Sequence, residues 1–417
     1  MLRARRHAIS AALHAALLTA CAGALLYGGG CGGVSGAAGG QSDQLTIYSS
    51  LPLQGPAGAI STQLIDGEKL ALKDAGGHVG PFKIGYVSLD DSNPSSGEWE
   101  PGLTAANAKT AADEPSAIAF LGDYDSAATA ISLPEINAAG ILQLSPASPY
   151  GGLTSSLYAG QDEPQRFYLT GKRNFARLQP GDQRQARAQV ELMRSLGIGK
   201  LYVLDDEDPF QLALAQMVTA DAQAAGIEVP GHDSVDTARA GSYSGEAAKV
   251  AESGAQAVFF AGDGPGAATL LEQLGEASSG LRLLGSSSLA QRGFTAKLDA
   301  QTAARTLLST PYLPVSLYPP AARRVAAAYR RQFGSRAEAY ALFGYEAMSA
   351  TLQAIRRAGS HGNDRQAVVD ALFAQGEHDS VIGPYAIEAD GETTLASYGV
   401  DRIVNGSPVF WRELNTG

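Results

Sequence analysis

Ser126 is the residue whose type and placement offer the clearest chemistry. It follows the apolar run Ala117–Leu121 and opens a helical pattern. A hydroxyl there, joined by the free N–H groups of a first helical turn, forms an anion site suited to a ligand carboxylate. A serine that only caps its helix has the same placement, so the pattern leaves both roles open. Other signatures are weaker. Asp205 and Asp206 close an apolar run, a pairing that more often marks a solvated strand end than a catalytic dyad. Gly262-Asp263-Gly264-Pro265-Gly266-Ala267 looks superficially like a dinucleotide loop between strand and helix. The following strand ends at Ser286, not at the acid such a loop requires for a ribose, so the segment reads as a turn. No GxSxG elbow, HExxH pair or GxxxxGK[ST] loop occurs, and the histidines are scattered. The two cysteines, Cys21 and Cys31, precede the body, which therefore has no disulfide, thiolate zinc site or cysteine nucleophile. Neither metal nor cofactor is expected, and the protein reads as a binder, not an enzyme.

The N-terminus has the pattern of a targeting segment. Arg3, Arg5 and Arg6 precede an apolar run from Ala8 to Ala20. That run is short for a spanning helix, which needs roughly 20 apolar residues. Leu18-Thr19-Ala20-Cys21 resembles a bacterial lipobox, whose cysteine receives a diacylglyceryl group and becomes the new N-terminus. Cys31 is the alternative. Gly28 stands where an aliphatic residue would precede it, yet the Gly-rich segment after it reads as a tether. The expectation is a signal peptide at 1–20, a tether at 21–43, and an extracytoplasmic body anchored to the membrane through Cys21. The formal net charge of -11 argues against nucleic acid, since phosphate binding needs clustered Lys and Arg.

The elements that must position these residues alternate. Strand patterns at Leu45 to Leu51, Phe82 to Leu89, Ala117 to Leu121 and Ile141 to Leu144 are separated by helical spacings, one of them opened by Ser126. Residues 145 to 180, rich in Pro and Gly, break the rhythm as a functional loop or crossover would. The alternation restarts with strands at Leu201 to Leu204, Ile227 to Pro230, Ala257 to Ala261 and Leu281 to Leu284. Helices follow near Ala321 to Phe333 and Ala337 to Ala358. The tail is strand-like, with turns at Asp390-Gly391 and Asn405-Gly406. This is an α/β protein of two doubly wound parallel sheets. Two such units side by side leave a cleft at the carboxyl ends of their strands.

The order of the features resembles the type I periplasmic binding proteins, in particular the leucine/isoleucine/valine-binding branch of ABC transporter solute-binding lipoproteins. The matching segments include Gly55-Pro56, Asp90-Asp91, Leu121-Gly122-Asp123-Tyr124-Asp125-Ser126, Gly140 to Ser148, Asn174-Phe175-Ala176-Arg177, Phe343-Gly344-Tyr345-Glu346-Ala347 and Ile382-Gly383-Pro384-Tyr385. The resemblance implies two lobes, 44–180 with 314–381 and 181–313 with 382–413, joined by crossings near Pro180, Pro311 to Pro314, and Val381 to Pro384. It implies a small polar ligand, an amino acid or related carboxylate or amide, together with ABC permease subunits as partners and a monomeric state. A ligand-sensing module of the same fold is the alternative.

The resemblance also assigns a site. Ser126 would hold the ligand carboxylate, with Thr129 one turn on and with Ala147 and Ser148 from the loop after the fourth strand. Pro149 stands where the family usually has a threonine, and Pro offers neither hydroxyl nor N–H. Tyr150 would line the cleft or else pack the loop, and Phe210 stands where the family places an aromatic on the ligand, or else packs at a helix start. Ser287 occupies the position of the acid that pairs with a ligand ammonium; either Asp263, where relatives usually carry a hydroxyl or aromatic residue, replaces it, or the ligand is not an α-amino acid.

Overall fold

A computed structural model describes residues 43–239 and 241–417, so the expected signal and tether, with Cys21 and Cys31, lie outside the described residues. The first half runs through strand β1 (Gln44–Leu51), helix α1 (Gly58–Asp74), strands β2 (His78–Val79) and β3 (Phe82–Asp90), and helix α2 (Pro101–Asp113). It continues through β4 (Ala117–Leu121), α3 (Ser126–Ala138), β5 (Leu142–Ser145) and β6 (Phe175–Arg177). These strands form one sheet in the order β2-β3-β1-β4-β5-β6, parallel except at the short edge strand β2. Strand β4, Ala-Ile-Ala-Phe-Leu, is buried at every position because helices cover both faces.

The second unit comprises α4 (Asp182–Ser195), β7 (Lys200–Asp205), α5 (Pro209–Ala224), β8 (Glu228–Ser234), α6 (Ser244–Glu252) and β9 (Ala257–Ala261). Helix α7 (Ala267–Ala277), β10 (Arg282–Gly285), α8 (Arg292–Thr295), α9 (Ala300–Arg305) and β11 (Thr306–Thr310) complete its core. The chain then returns to the first lobe for α10 (Pro320–Phe333), α11 (Ala339–Ala358) and α12 (Arg365–Phe373). It ends in β12 (Ser397–Val404) and β13 (Ser407–Asn415), an antiparallel pair joined by Asn405-Gly406. The second sheet has the order β13-β12-β11-β10-β9-β7-β8. Phe259 and Phe260, adjacent on β9 and both fully buried, pack into cores on opposite faces of this sheet. Each such ring is worth about 1.5–3 kcal/mol of burial.

The expected α/β rhythm is present, with additions. β6 is only three residues long and exists by pairing with β5, so no periodicity announces it. Helix α6 buries only Ala247 and Val250, too few to make a stripe. The segment expected to be irregular carries its own small core of Tyr150, Leu153, Phe167, Tyr168 and Phe175, which also takes in Ala213 of α5.

The third crossing falls later than the segment at 381 to 384. Ile382, Tyr385 and Ile387 are buried in the first lobe's core with α11. The Arg177 N–H donates to the Gly391 carbonyl at 3.0 Å, and the chain joins the second sheet only at Ser397. Burial of these apolar side chains holds the stretch to the first lobe. Helices α1 and α11 cross so closely that a Cβ on Gly344 would sit 2.0 Å from the Leu64 carbonyl oxygen, and one on Gly67 2.1 Å from that of Ala341.

Candidate functional site

The carboxyl ends of both sheets face a cavity of about 340 Å³. Strand β4 delivers Tyr124, Asp125 and Ser126 to its rim; β5 delivers Ala147, Pro149 and Tyr150 by the loop that follows. From the second sheet, β7 leads to Asp206 and Asp208, β9 to Asp263 and β10 to Ser286 and Ser287. Helix α3 begins here with no side chain capping its first turn, so its N–H groups stay available. The Ser126 hydroxyl accepts the Tyr150 N–H at 3.1 Å and keeps its own proton to donate.

Of the residues singled out from sequence, Ser126, Ala147, Tyr150, Phe210, Asp263 and Ser287 all line this cavity. Thr129 and Ser148 do not. Both are fully buried, their hydroxyl oxygens 2.6 Å apart. Ser148 has a φ of 50°, which turns its side chain inward to donate to the Asp123 carbonyl at 2.9 Å. Pro149 faces the cavity in its place. The two hydroxyls brace the loop behind the cavity wall. Ser287 donates to Gln185 Oε1 at 3.2 Å, and the Tyr150 hydroxyl to Glu163 Oε2 at 2.6 Å.

Sequence reading missed much of the wall. Asp125, Asp182, Asp206 and Asp208 line the cavity with Asp263, as do Trp99, Tyr312 and Tyr340. Asp125 had a signal, since it directly precedes Ser126. Asp206 also had one, at a strand end, but the pair separates in space. Asp205 is buried on His232 at 2.8 Å, whereas Asp206 turns to the cleft and accepts N–H groups from Asp263 at 2.9 Å and Asp208 at 3.2 Å. Trp99, Tyr312 and Tyr340 are assembled from distant stretches of chain and had none.

Burial pushes the Asp125 carboxyl up to about 7, and the charges of Asp91 and Asp263 push the same way. Asp182, 5 % exposed, is pushed up to about 7 by burial even with Arg177 nearby. Asp206 is pushed up to about 6, again chiefly by burial. Arg177, fully buried, holds the loop. Its Nη1 donates to the Ser148 and Tyr150 carbonyls at 2.6 and 2.8 Å, and its Nε to both Glu392 oxygens at 3.1 Å.

Two doubly wound lobes enclosing a polar cleft at their strand ends define a solute-binding protein. A family model, "Periplasmic binding protein", matches residues 45–406, and the chain belongs to that family, one of binding proteins and not of enzymes. Over 352 residues it is 26% identical to the Leu/Ile/Val-binding protein homolog 1 of Brucella abortus (strain 2308), covering 84% of this chain and 87% of that one. The crystal structure of a leucine binding protein from Thermotoga maritima superposes with a TM-score of 0.73 at 20% identity, covering 89% of this chain and 99% of that one. A solute binding protein from R. palustris in complex with benzoate gives 0.68 at 16% identity, covering 89% and 96%. The type I two-lobed fold is thus shared with proteins of quite different ligands. Among the described residues no helix is long and apolar enough to cross a membrane.

Proposed function

We propose that this protein is an extracytoplasmic, lipid-anchored solute-binding protein that closes its two lobes over a small polar ligand and delivers it to the permease of an ABC importer. The observation that carries the reading is the cavity of about 340 Å³ built from both sheets' carboxyl edges, so that a ligand completes the contact between lobes. The relatives' names point to amino acids or related molecules. Ser126 and the uncapped start of α3 are suited to a ligand oxygen, and the aspartates of both lobes to a ligand nitrogen. We take the moving bodies to be residues 44–180 with 314–395 and residues 181–313 with 396–413, acting as a monomer, with Cys21 as anchor or else Cys31. A ligand stabilises a binder in proportion to the logarithm of its concentration over Kd. A thermal-shift screen of the body against small metabolites, followed by small-angle scattering with the hit, is the test. No hit, or an unchanged radius of gyration at saturation, overturns the clamp. Mass spectrometry of the mature N-terminus tests the anchor; an unlipidated start elsewhere overturns it.

A further inference from the structure

We infer that the ligand is an organic cation, carrying at least one more ammonium or guanidinium group than carboxylates, held between Asp125 of the first lobe and Asp263 of the second. The inference rests on the cleft being the solute site and narrows what enters it. Five aspartates line the cavity, and among its described lining residues there is no lysine, arginine or histidine.

The five are not equally occupied. Asp208 caps α5 through the N–H groups of Phe210 and Gln211 at 2.9 and 3.3 Å. Asp206 is engaged by the two N–H groups already described. Asp182 sits at the cavity wall, 5 % exposed, with the Arg177 guanidinium as its nearby positive charge. Asp125 offers no side-chain cap to α3, and among the described residues neither its carboxylate nor that of Asp263 has a hydrogen bond or ion pair. Asp263 acts on Asp125 electrostatically across the cleft. Closing the lobes brings these two unpaired charges together and strips their water, which is costly unless a cation comes between them.

A second feature points the same way. Six aromatic side chains, Trp99, Tyr124, Tyr150, Phe210, Tyr312 and Tyr340, share the walls. The negative faces of such rings attract ammonium and guanidinium groups. A branched-chain amino acid has no net charge to set against this wall, and a benzoate would add to its negative charge. The cation class therefore departs from the leucine and benzoate of the similar proteins.

The test is a thermal-shift and calorimetry panel of arginine, 1,4-diaminobutane and choline against leucine, benzoate and glucose. At least one of the three cations should bind, more weakly as salt rises. Asp125→Asn and Asp263→Asn should each weaken that cation about tenfold or more. Neither carboxylate holds a fold contact and burial disfavours the charge of both, so neither variant should melt below the parent. Failure of all three cations to bind overturns the inference, as does a cation that binds both variants as it binds the parent, or leucine binding more tightly than every cation. Leucine, benzoate or glucose binding in the same plate then leaves the solute-binding reading standing on its own.

Discussion

Tyr150 of the first lobe and Phe210 of the second meet edge to face across the cleft, their ring centroids 4.5 Å apart and their planes at 83°. The pair is a contact between the bodies that must part to admit a ligand. Such a pair contributes about 0.5–1.5 kcal/mol beyond its area burial. Phe210→Ala should therefore shift the ligand-free protein toward an open form, by about two- to tenfold in population. Small-angle scattering should show a larger radius of gyration without ligand and the parent value at saturation. An unchanged ligand-free radius would show that the rings do not set the opening equilibrium.

Ser126→Ala removes the hydroxyl that joins the start of α3 to the Tyr150 N–H. If that hydroxyl also donates to a ligand oxygen, affinity should fall about tenfold. Stability should fall by about 1 kcal/mol, since the Tyr150 N–H loses its acceptor. Calorimetry with any ligand confirmed by the panel decides this, and wild-type affinity would leave Ser126 as a structural hydroxyl alone.

Arg177→Met tests the brace beneath the site. The guanidinium is fully buried and the Glu392 side chain 21% exposed. Removing one partner of a buried pair costs about 3–5 kcal/mol, because the other charge is left unmatched. The same change leaves the Ser148 and Tyr150 carbonyls without their donor. The urea midpoint should drop accordingly, and Glu392→Gln should lower it as well, since it leaves the fully buried guanidinium without its counter-charge.

The pH dependence of stability follows from the raised carboxyls. Burial pushes Glu68 up to about 8, Asp125 and Asp182 to about 7, and Asp91, Asp206 and Asp401 to about 6. In the unfolded chain these groups titrate near 4. Between roughly pH 4 and 8 the folded protein thus binds more protons than the unfolded chain, and stability falls as pH rises through that window. Glu392 behaves oppositely: burial raises it, but Arg177 outweighs burial and holds it below the usual range. Its contribution is present above pH 4 and is lost in stronger acid. The ligand-free protein should melt at a higher temperature near pH 5.5 than near pH 8. A bound cation should narrow that difference, since it favours the ionised form of Asp125. A melting temperature that rises steadily to pH 8 without ligand would contradict the burial of these groups.

Gly344→Ala probes the crossing of α1 and α11. Its added methyl meets a backbone oxygen, not a flexible side chain, so the helices must separate. Overpacking of this kind costs about 1–3 kcal/mol. Thermal unfolding should show that loss; a neutral result would mean that the helices slide apart freely.

By itself the sequence determined the alternation of strand and helix, the two-lobed parallel architecture and the placement of Ser126 between a strand and a helix. These are local matters: β4 and β9 are apolar at every position because both faces are covered, and a helix following a strand puts its first residue at the sheet's carboxyl edge. Six of the eight expected ligand residues line the cleft for that reason. Tertiary structure decided the rest. Whether Ser148 faces the ligand depends on one backbone angle of 50° and on a hydroxyl partner, Thr129, 19 residues earlier. Whether residues 382 to 393 belong to the first lobe depends on which core buries Tyr385. The charge of the cleft depends on Asp125, Asp182 and Asp263 meeting at one cavity from three separate segments. Spacing along a chain carries no record of such meetings, because they are set by how whole lobes pack, and the electrostatic character of the site arises only there.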